Sequence, residues 1–317
     1  MVSVGGSRDE VVPITEGALT PTAGNEMRVV WTRGNGCSEL AHLLTDGTAG
    51  RISGDLVEEC INQRADLLVS RRLPGSFDLV NVAVPLDFVP ENVTRVASAV
   101  AGGPHTFLAA ETASRIARGL GVEAEMISAV RPGGDHAEAE ELLEHIGLAL
   151  PDLAGRVVAV DGISELVEQL DEGTLLVLGA PGGSWLQRSR FGPGARLMSK
   201  APAGAIVVRS APDRVFRWMG DPVFVSPMRN ADDTLLLHPE RVLAVADEGL
   251  LIGLVRRESL ESAGDSSVGS VMEEAISAKV DETIAEAMEL EPTFGRDPVP
   301  VTDHHERLVG GLLLPVA

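Results

Sequence analysis

The sequence predicts an α/β protein: a parallel sheet flanked by helices as far as residue 209, followed by a smaller α+β module. Three observations predict it. Apolar runs alternate with amphipathic helical patterns from residue 95 to residue 209. The runs LLVLGA and AIVV are apolar without alternation, the pattern of parallel strands covered on both faces. After residue 212 the character changes to two shorter units, each opening with Val-x-x-x-Met.

The elements follow in order. RVASAV at 95–100 reads as a short strand and AGGPH as a turn. TFLAAETASRIARGLG then places Ala109, Ala113, Ile116 and Leu120 three or four residues apart, on one helical face. EAEMISAV is the next strand, and AEAEELLEHIGLAL the next helix, with an acidic first turn suited to a helix N-terminus. RVVAVDG, ISELVEQLDEG, TLLVLGAP and AGAIVVR complete the series as strand, helix, strand, long loop and strand.

An internal repeat extends the sheet toward the amino terminus. LLVSRRLPGSF at 67–77 matches LLVLGAPGGSW at 175–185 at a constant offset of 108, each after a helix containing Leu-Val-Glu, at Leu56 and Leu166. The copies are unequal: Arg71 and Pro74 stand at the positions of Gly179 and Gly182, and the first copy lacks the long loop. The chain divides into an N-terminal segment (1–26), a vestigial unit (27–94), a complete unit (95–212) and a C-terminal pair (213–317). An apolar strand edge needs cover, so the strands near 79–85 and 204–209 are expected to pair.

Composition excludes several classes. A formal net charge of −21 opposes nucleic acid and anionic membrane surfaces as partners. No apolar run reaches the roughly 18 to 20 residues that span a bilayer, and MVSVGGSRDEVVP has no basic end followed by an apolar core. A cytoplasmic protein is expected. Cys37 and Cys60 read as reduced thiols, the pair His304-His305 as a solvated turn, and no metal is assigned. The sequence carries no Gly-x-Ser-x-Gly elbow, no Gly-x-x-x-x-Gly-Lys loop and no His-Glu-x-x-His motif, so catalysis is not expected.

The complete unit carries a family signature. Gly179, Gly182 and Gly192 have the spacing Gly, two residues, Gly, nine residues, Gly, and a final Ala201-Pro202 … Ile206 to Arg209 strand follows. This pattern resembles the universal stress protein domain, of the adenine nucleotide alpha hydrolase-like type. The AGGPH turn resembles the GGGPH variant of universal stress domains attached to transporters. The resemblance implies an adenine nucleotide (ATP, ADP or AMP) held by Ala101, Gly102, Gly103, Gly179, Gly182, Gly183, Gly192 and Gly194, with Arg188 and Arg190 adding charge. Glycines at the end of a parallel strand let backbone N–H groups approach phosphate. The sequence departs from the signature at Pro193, which removes a hydroxyl and an N–H, and at Ala101-Gly102, where nucleotide-binding members carry an aspartate.

The C-terminal pair resembles tandem cystathionine-β-synthase (CBS) domains. The matches are Val215 to Met219, Asp233-Thr234, Leu243 to Asp247 and Ile252-Gly253 in one unit. In the other they are Val268 to Met272, Glu282-Thr283, Val299 to Asp303 and Val309-Gly310. Where the family places a phosphate-binding Thr or Ser and a ribose-binding Asp, this chain has Arg256 and Ser259, which favours a packing or dimerisation role. The first unit's helix also reads as shortened.

Two functions remain. One is a non-catalytic sensor, in which an adenine nucleotide biases the arrangement of the modules and so the engagement of a partner such as a transporter or channel. The other is a scaffold that kept the folds and lost the ligands. A homodimer is expected, through CBS-like disks joining two chains.

Overall fold

The computed structural model describes residues 27–45, 47–72, 77–161, 163–180 and 201–315. Its main body is a sheet of nine strands, in the order β2-β1-β3-β4-β9-β8-β5-β6-β7. The amino-terminal half runs β1 (Val29–Trp31), α1 (Cys37–Leu44), β2 (Gly50–Arg51), α2 (Leu56–Asn62), β3 (Leu67–Val69) and β4 (Asn81–Leu86). The second half runs β5 (Arg95–Val100), α3 (Thr106–Leu120), β6 (Glu123–Val130), α4 (Ala137–Ala149), β7 (Ala154–Ala159), α5 (Ile163–Glu168), β8 (Thr174–Gly179) and β9 (Ala205–Arg209).

Within each half every described pairing is parallel, and the halves meet where β4 pairs antiparallel with β9. The expected pairing of the two apolar strands is therefore present. Its register is pseudo-symmetric: Val84 faces Val207, with Val82 opposite Arg209 and Leu86 opposite Ala205 on either side. The halves map onto each other strand for strand, β1 on β5, β2 on β6, β3 on β8 and β4 on β9, and β7 and α4 have no counterpart among the described residues of the first. The Leu-Val-Glu match does not belong to this symmetry. Those residues open α2 but close α5, a displacement of two positions from the strand offset.

Burial follows the pleat. Leu67, Val69, Leu175, Val177 and Ile206 face one core with α1 and α3, while Leu176, Ala205 and Val207 face another with Leu166 and Val167 of α5. In α3, Ala109, Ala113 and Ile116 are fully buried and Leu120 packs at the margin of the same core, as their spacing predicts.

The C-terminal third holds α6 (Val215–Trp218), β10 (Phe224–Val225), α7 (Ala231–Leu237), β11 (Val242–Asp247), β12 (Leu250–Arg256) and α8 (Arg257–Ala263). Then come a 3-10 turn at 268–270, β13 (Ala278–Lys279), α9 (Ile284–Ala287), α10 (Glu291–Phe294), β14 (Val299–Thr302) and β15 (Leu308–Leu312). Each unit is a three-stranded sheet, a short parallel strand beside an antiparallel pair.

The two units exchange their opening segments. Residues around α6 bond to the second unit, Val215 N–H to the Glu282 carbonyl and Gly220 to Gly311, while Val268 and Glu273 bond to Arg229 and Leu254 of the first. This exchange explains the Val-x-x-x-Met motif. A Cβ at Gly310 would lie 2.8 Å from the Met219 sulfur, and one at Gly253 would lie 3.1 Å from the Met272 sulfur, so each methionine seats on the other unit's glycine.

One correspondence needs correction. Thr283 caps α9 through a capping box with Glu286, but its counterpart is Asn230 and not Thr234. Asn230 caps α7 and bridges Ser267, as Thr283 bridges Arg214. Thr234 lies inside α7, its hydroxyl donating to the Asn230 carbonyl. Asp233-Thr234 was the wrong partner because acid-Thr is a common helix start, whereas here asparagine performs the capping.

Candidate functional site

The strand order reverses between β5 and β8. From β5 the chain crosses through α3 to β6 on one side, while β8 lies on the other. The crevice outside the carboxyl ends of such strands is where open α/β sheets bind ligands. Four of the residues singled out from the sequence converge there: Ala101, Gly102 and Gly103 in the turn after β5, and Gly179 at the end of β8. Gly182, Gly183, Arg188, Arg190, Gly192 and Gly194 lie outside the described residues, as does Pro193.

The glycines differ in what requires them. Gly102 has φ +69°, a conformation that side chains disfavour. Gly179 is required by packing, since a Cβ there would stand 2.9 Å from the Cβ of His105. Gly103 is exposed, and a Cβ on it would meet no atom within 4 Å, so space open to a ligand is available there without any demand from the fold.

His105 joins this turn to the end of β9. Its Nδ1 lies 2.6 Å from the Ser210 hydroxyl and 3.1 Å from the Ser210 backbone nitrogen, and that hydroxyl lies 2.8 Å from the Pro104 carbonyl oxygen. Burial, with the Arg209 charge second, holds the imidazole pKa below its ordinary value. His105 was not among the residues drawn from the sequence, although it closes the AGGPH turn that was.

Beside the turn opens a cleft of about 510 Å³, bounded by Ala101 and Gly102, by Ser128 to Val130 at the end of β6, and by Asp135, Glu138, Glu141, Leu142 and His145. Asp135 accepts the Ala137 N–H at the start of α4. Three carboxylates repel phosphate, so this cleft suits a neutral or hydrogen-bond-donating group and places any anionic group toward β8. The acidic turn of α4 was legible in the sequence as a helix start, but its position over β6 was not.

In the C-terminal pair, Arg256 forms the N-cap position of α8 and its Nε lies 3.1 Å from Glu273 of the exchanged segment. Arg256 thus ties the two units together, and Ser259 is half-buried on α8. Both cysteines are buried, in different cores; burial raises the pKa of Cys37 and pushes that of Cys60 up to about 12. His304 faces Asp281 at 3.4 Å, and the His305 N–H donates to Asp303. Among the described residues no group of three or more His, Cys, Asp or Glu is placed to hold a metal ion, and no helix is long and apolar enough to cross a membrane.

No family model matches the sequence, and no curated protein matches it. Solved structures of CBS-domain proteins do. A CBS domain pair/ACT domain protein from Thermotoga maritima is 24% identical with a TM-score of 0.30, over 32% of this chain and 89% of that one. The CBS-pair protein CBSX2 from Arabidopsis thaliana is 20% identical with a TM-score of 0.30, over 32% and 89% of the two chains. The cytosolic domain of the Mg2+ channel MgtE, in complex with ATP, is 22% identical with a TM-score of 0.29, and the match covers 32% of this chain but only 46% of that one. The likeness extends over about a third of this chain.

Proposed function

We propose that this chain is a non-catalytic regulatory protein whose universal-stress-type unit binds an adenine nucleotide outside the carboxyl ends of β5 and β8. The observation that carries the reading is the convergence of Ala101 to Gly103 with Gly179 at the point where the strand order reverses, beside an open cleft. The base or ribose would occupy the cleft toward α4, where carboxylates accept hydroxyl and amine protons. The phosphates would lie on the Gly103 side, toward the end of β8 and the uncapped start of α3. The His105–Ser210 contact links that site to residues 210–214, which lead into the CBS-like pair, so occupancy there acts on a partner of transporter or channel type through the pair.

The scaffold reading also has an observation in its favour. Gly179 has a packing reason to be glycine, and Arg256 is held by Glu273 in place of a ligand contact. Titration with ATP, ADP and AMP separates the two readings. A nucleotide at 100 times its dissociation constant adds about 2.7 kcal/mol to the folded state, seen as a rise in melting temperature. Absence of any shift with all three nucleotides, together with no nucleotide in mass spectra of the natively purified chain, would establish the scaffold.

A further inference from the structure

Three strongly exposed large apolar residues lie close together in one short segment of the CBS-like pair, while Leu148, 80% exposed, and Leu313, 67% exposed, stand apart from it. Met228 is 83% exposed, Leu236 84% and Leu237 60%. Helix α7 buries Ala231 and Thr234 against its own sheet and packs Leu235 at the core margin. Its outer face therefore presents Asp232 and Asp233 in the first turn and Leu236 and Leu237 one turn later, at helical spacing. Helix α8 packs alongside and adds Glu258 and Glu261 to the outer surface. Its arginine, Arg257, is directed to Glu261 and to the His238 carbonyl.

The pseudo-symmetry of the pair makes this exposure informative. At the offset that relates Asn230 to Thr283, Leu237 corresponds to Leu290, which packs against the core shared by the second unit and the sheet, whereas Leu236 corresponds to the exposed Glu289. That joint has an apolar centre rimmed by arginines: Arg28 reaches the Arg217 carbonyl and Arg64 the Met219 carbonyl. Of the two exposed leucines, Leu237 therefore has a packed counterpart in the second unit, and on α7 it is left open.

We propose that the outer face of α7 and α8 docks a partner protein through an amphipathic segment whose apolar anchors seat on Leu236 and Leu237 and whose flanking Lys or Arg residues meet Asp232, Asp233 and Glu258. Charge selects this occupant over a second copy of the chain. Two copies meeting through this face would oppose the same carboxylates, in a chain of net charge −21, whereas a basic segment complements them. The inference is independent of nucleotide binding at the β5–β8 crevice.

The test titrates the full chain with a fluorescein-labelled helical peptide of about 17 residues, built from Leu at i, i+3, i+4 and i+7 with Lys and Ala elsewhere, and with the same peptide carrying Glu for Lys. The Lys peptide should bind at least about tenfold more tightly than the Glu peptide, and the double variant Leu236→Ser/Leu237→Ser should weaken it by a further tenfold or more. Asp232→Asn/Asp233→Asn should reduce the salt dependence of binding. Both leucines are exposed, so the serine variant should melt as the wild type does. Equal affinity for the two peptides, or binding of neither, overturns the proposal. So does a concentration-dependent dimer in sedimentation that Leu236→Ser/Leu237→Ser abolishes, because the face would then belong to a second copy.

Discussion

A side chain at Gly179 would place its Cβ 2.9 Å from the Cβ of His105, while one at Gly103 would meet nothing within 4 Å. The two substitutions should therefore separate fold from ligand. Gly179→Ala forces the β5–α3 turn away from β8 and should cost about 1–3 kcal/mol, the usual range for overpacking, read as a lower denaturation midpoint. Gly103→Ala should alter stability by less than about 1 kcal/mol in either direction. If a nucleotide approaches the backbone at Gly103, the same variant should weaken its binding by tenfold or more, about 1.4 kcal/mol, in calorimetric titration. His105 adds a pH signature at the same place. Its folded pKa lies below the ordinary value of 6.5, so the unfolded chain binds its proton first and stability must fall as pH drops through 6.5 toward the folded pKa. The contribution is fully present above the unfolded pKa. His105→Gln should flatten that part of the stability profile between pH 7.5 and 5, and an unchanged profile would remove His105 from the account.

At the scale of elements, the exchanged openings of the C-terminal pair set up an asymmetric test. At Gly310 the nearest atom to a new Cβ is the Met219 sulfur, at 2.8 Å, with the Gly220 carbonyl at 3.0 Å. At Gly253 it is the Glu273 carbonyl, at 2.7 Å, and backbone cannot swing aside as a methionine can. Gly310→Ala should thus be partly rescued by Met219→Ala, with a coupling of about 1 kcal/mol in a double-mutant cycle, whereas Gly253→Ala should gain little from Met272→Ala. The same elements show what sequence patterns reveal. Strands β5 and β6 coincide with RVASAV and EAEMISAV, and the offset repeat led to the β4–β9 edge; in β8 and β9 burial on both faces writes a continuous apolar run. Elements β1, α1 and β2 escaped: strands of three and two residues are too short to display a period, whereas α1 carries one, Cys37, Leu40, Ala41 and Leu44 at i, i+3, i+4 and i+7, that stands outside the repeat on which the reading rested. The acidic cleft escaped for a different reason. Asp135, Glu138 and Glu141 are ordinary helix-start residues until tertiary placement sets them over the end of β6.

At the scale of the whole molecule, the sheet and the C-terminal pair do not have separate interiors. Val30, Cys60, Leu68 and Val80 of the amino-terminal half share one core with Phe216, Val280, Phe294 and Val301. The amino-terminal half is thus the platform on which the pair packs. At its margin Asp66 receives two arginines, Arg28 at 3.1 Å and Arg217 at 3.0 Å, with its side chain 15% exposed and that of Arg217 11% exposed. Asp66→Ala would leave both guanidiniums facing each other without their common carboxylate. The cost should be about 2–4 kcal/mol, toward the lower end of that range because water reaches Arg28. The shared core also dictates how that loss appears. In the wild type, calorimetry should show the amino-terminal half of the sheet and the second CBS-like unit melting in one transition, since neither can open without exposing the other's apolar face. Asp66→Ala should lower that joint transition as a unit. The conservative Asp66→Asn should recover part of the loss, because an amide oxygen still accepts the Arg28 N–H that Asp66 accepts at 2.8 Å. A variant in which the second CBS-like unit melts at its wild-type temperature while the amino-terminal half of the sheet melts early would show that the shared core is not cooperative.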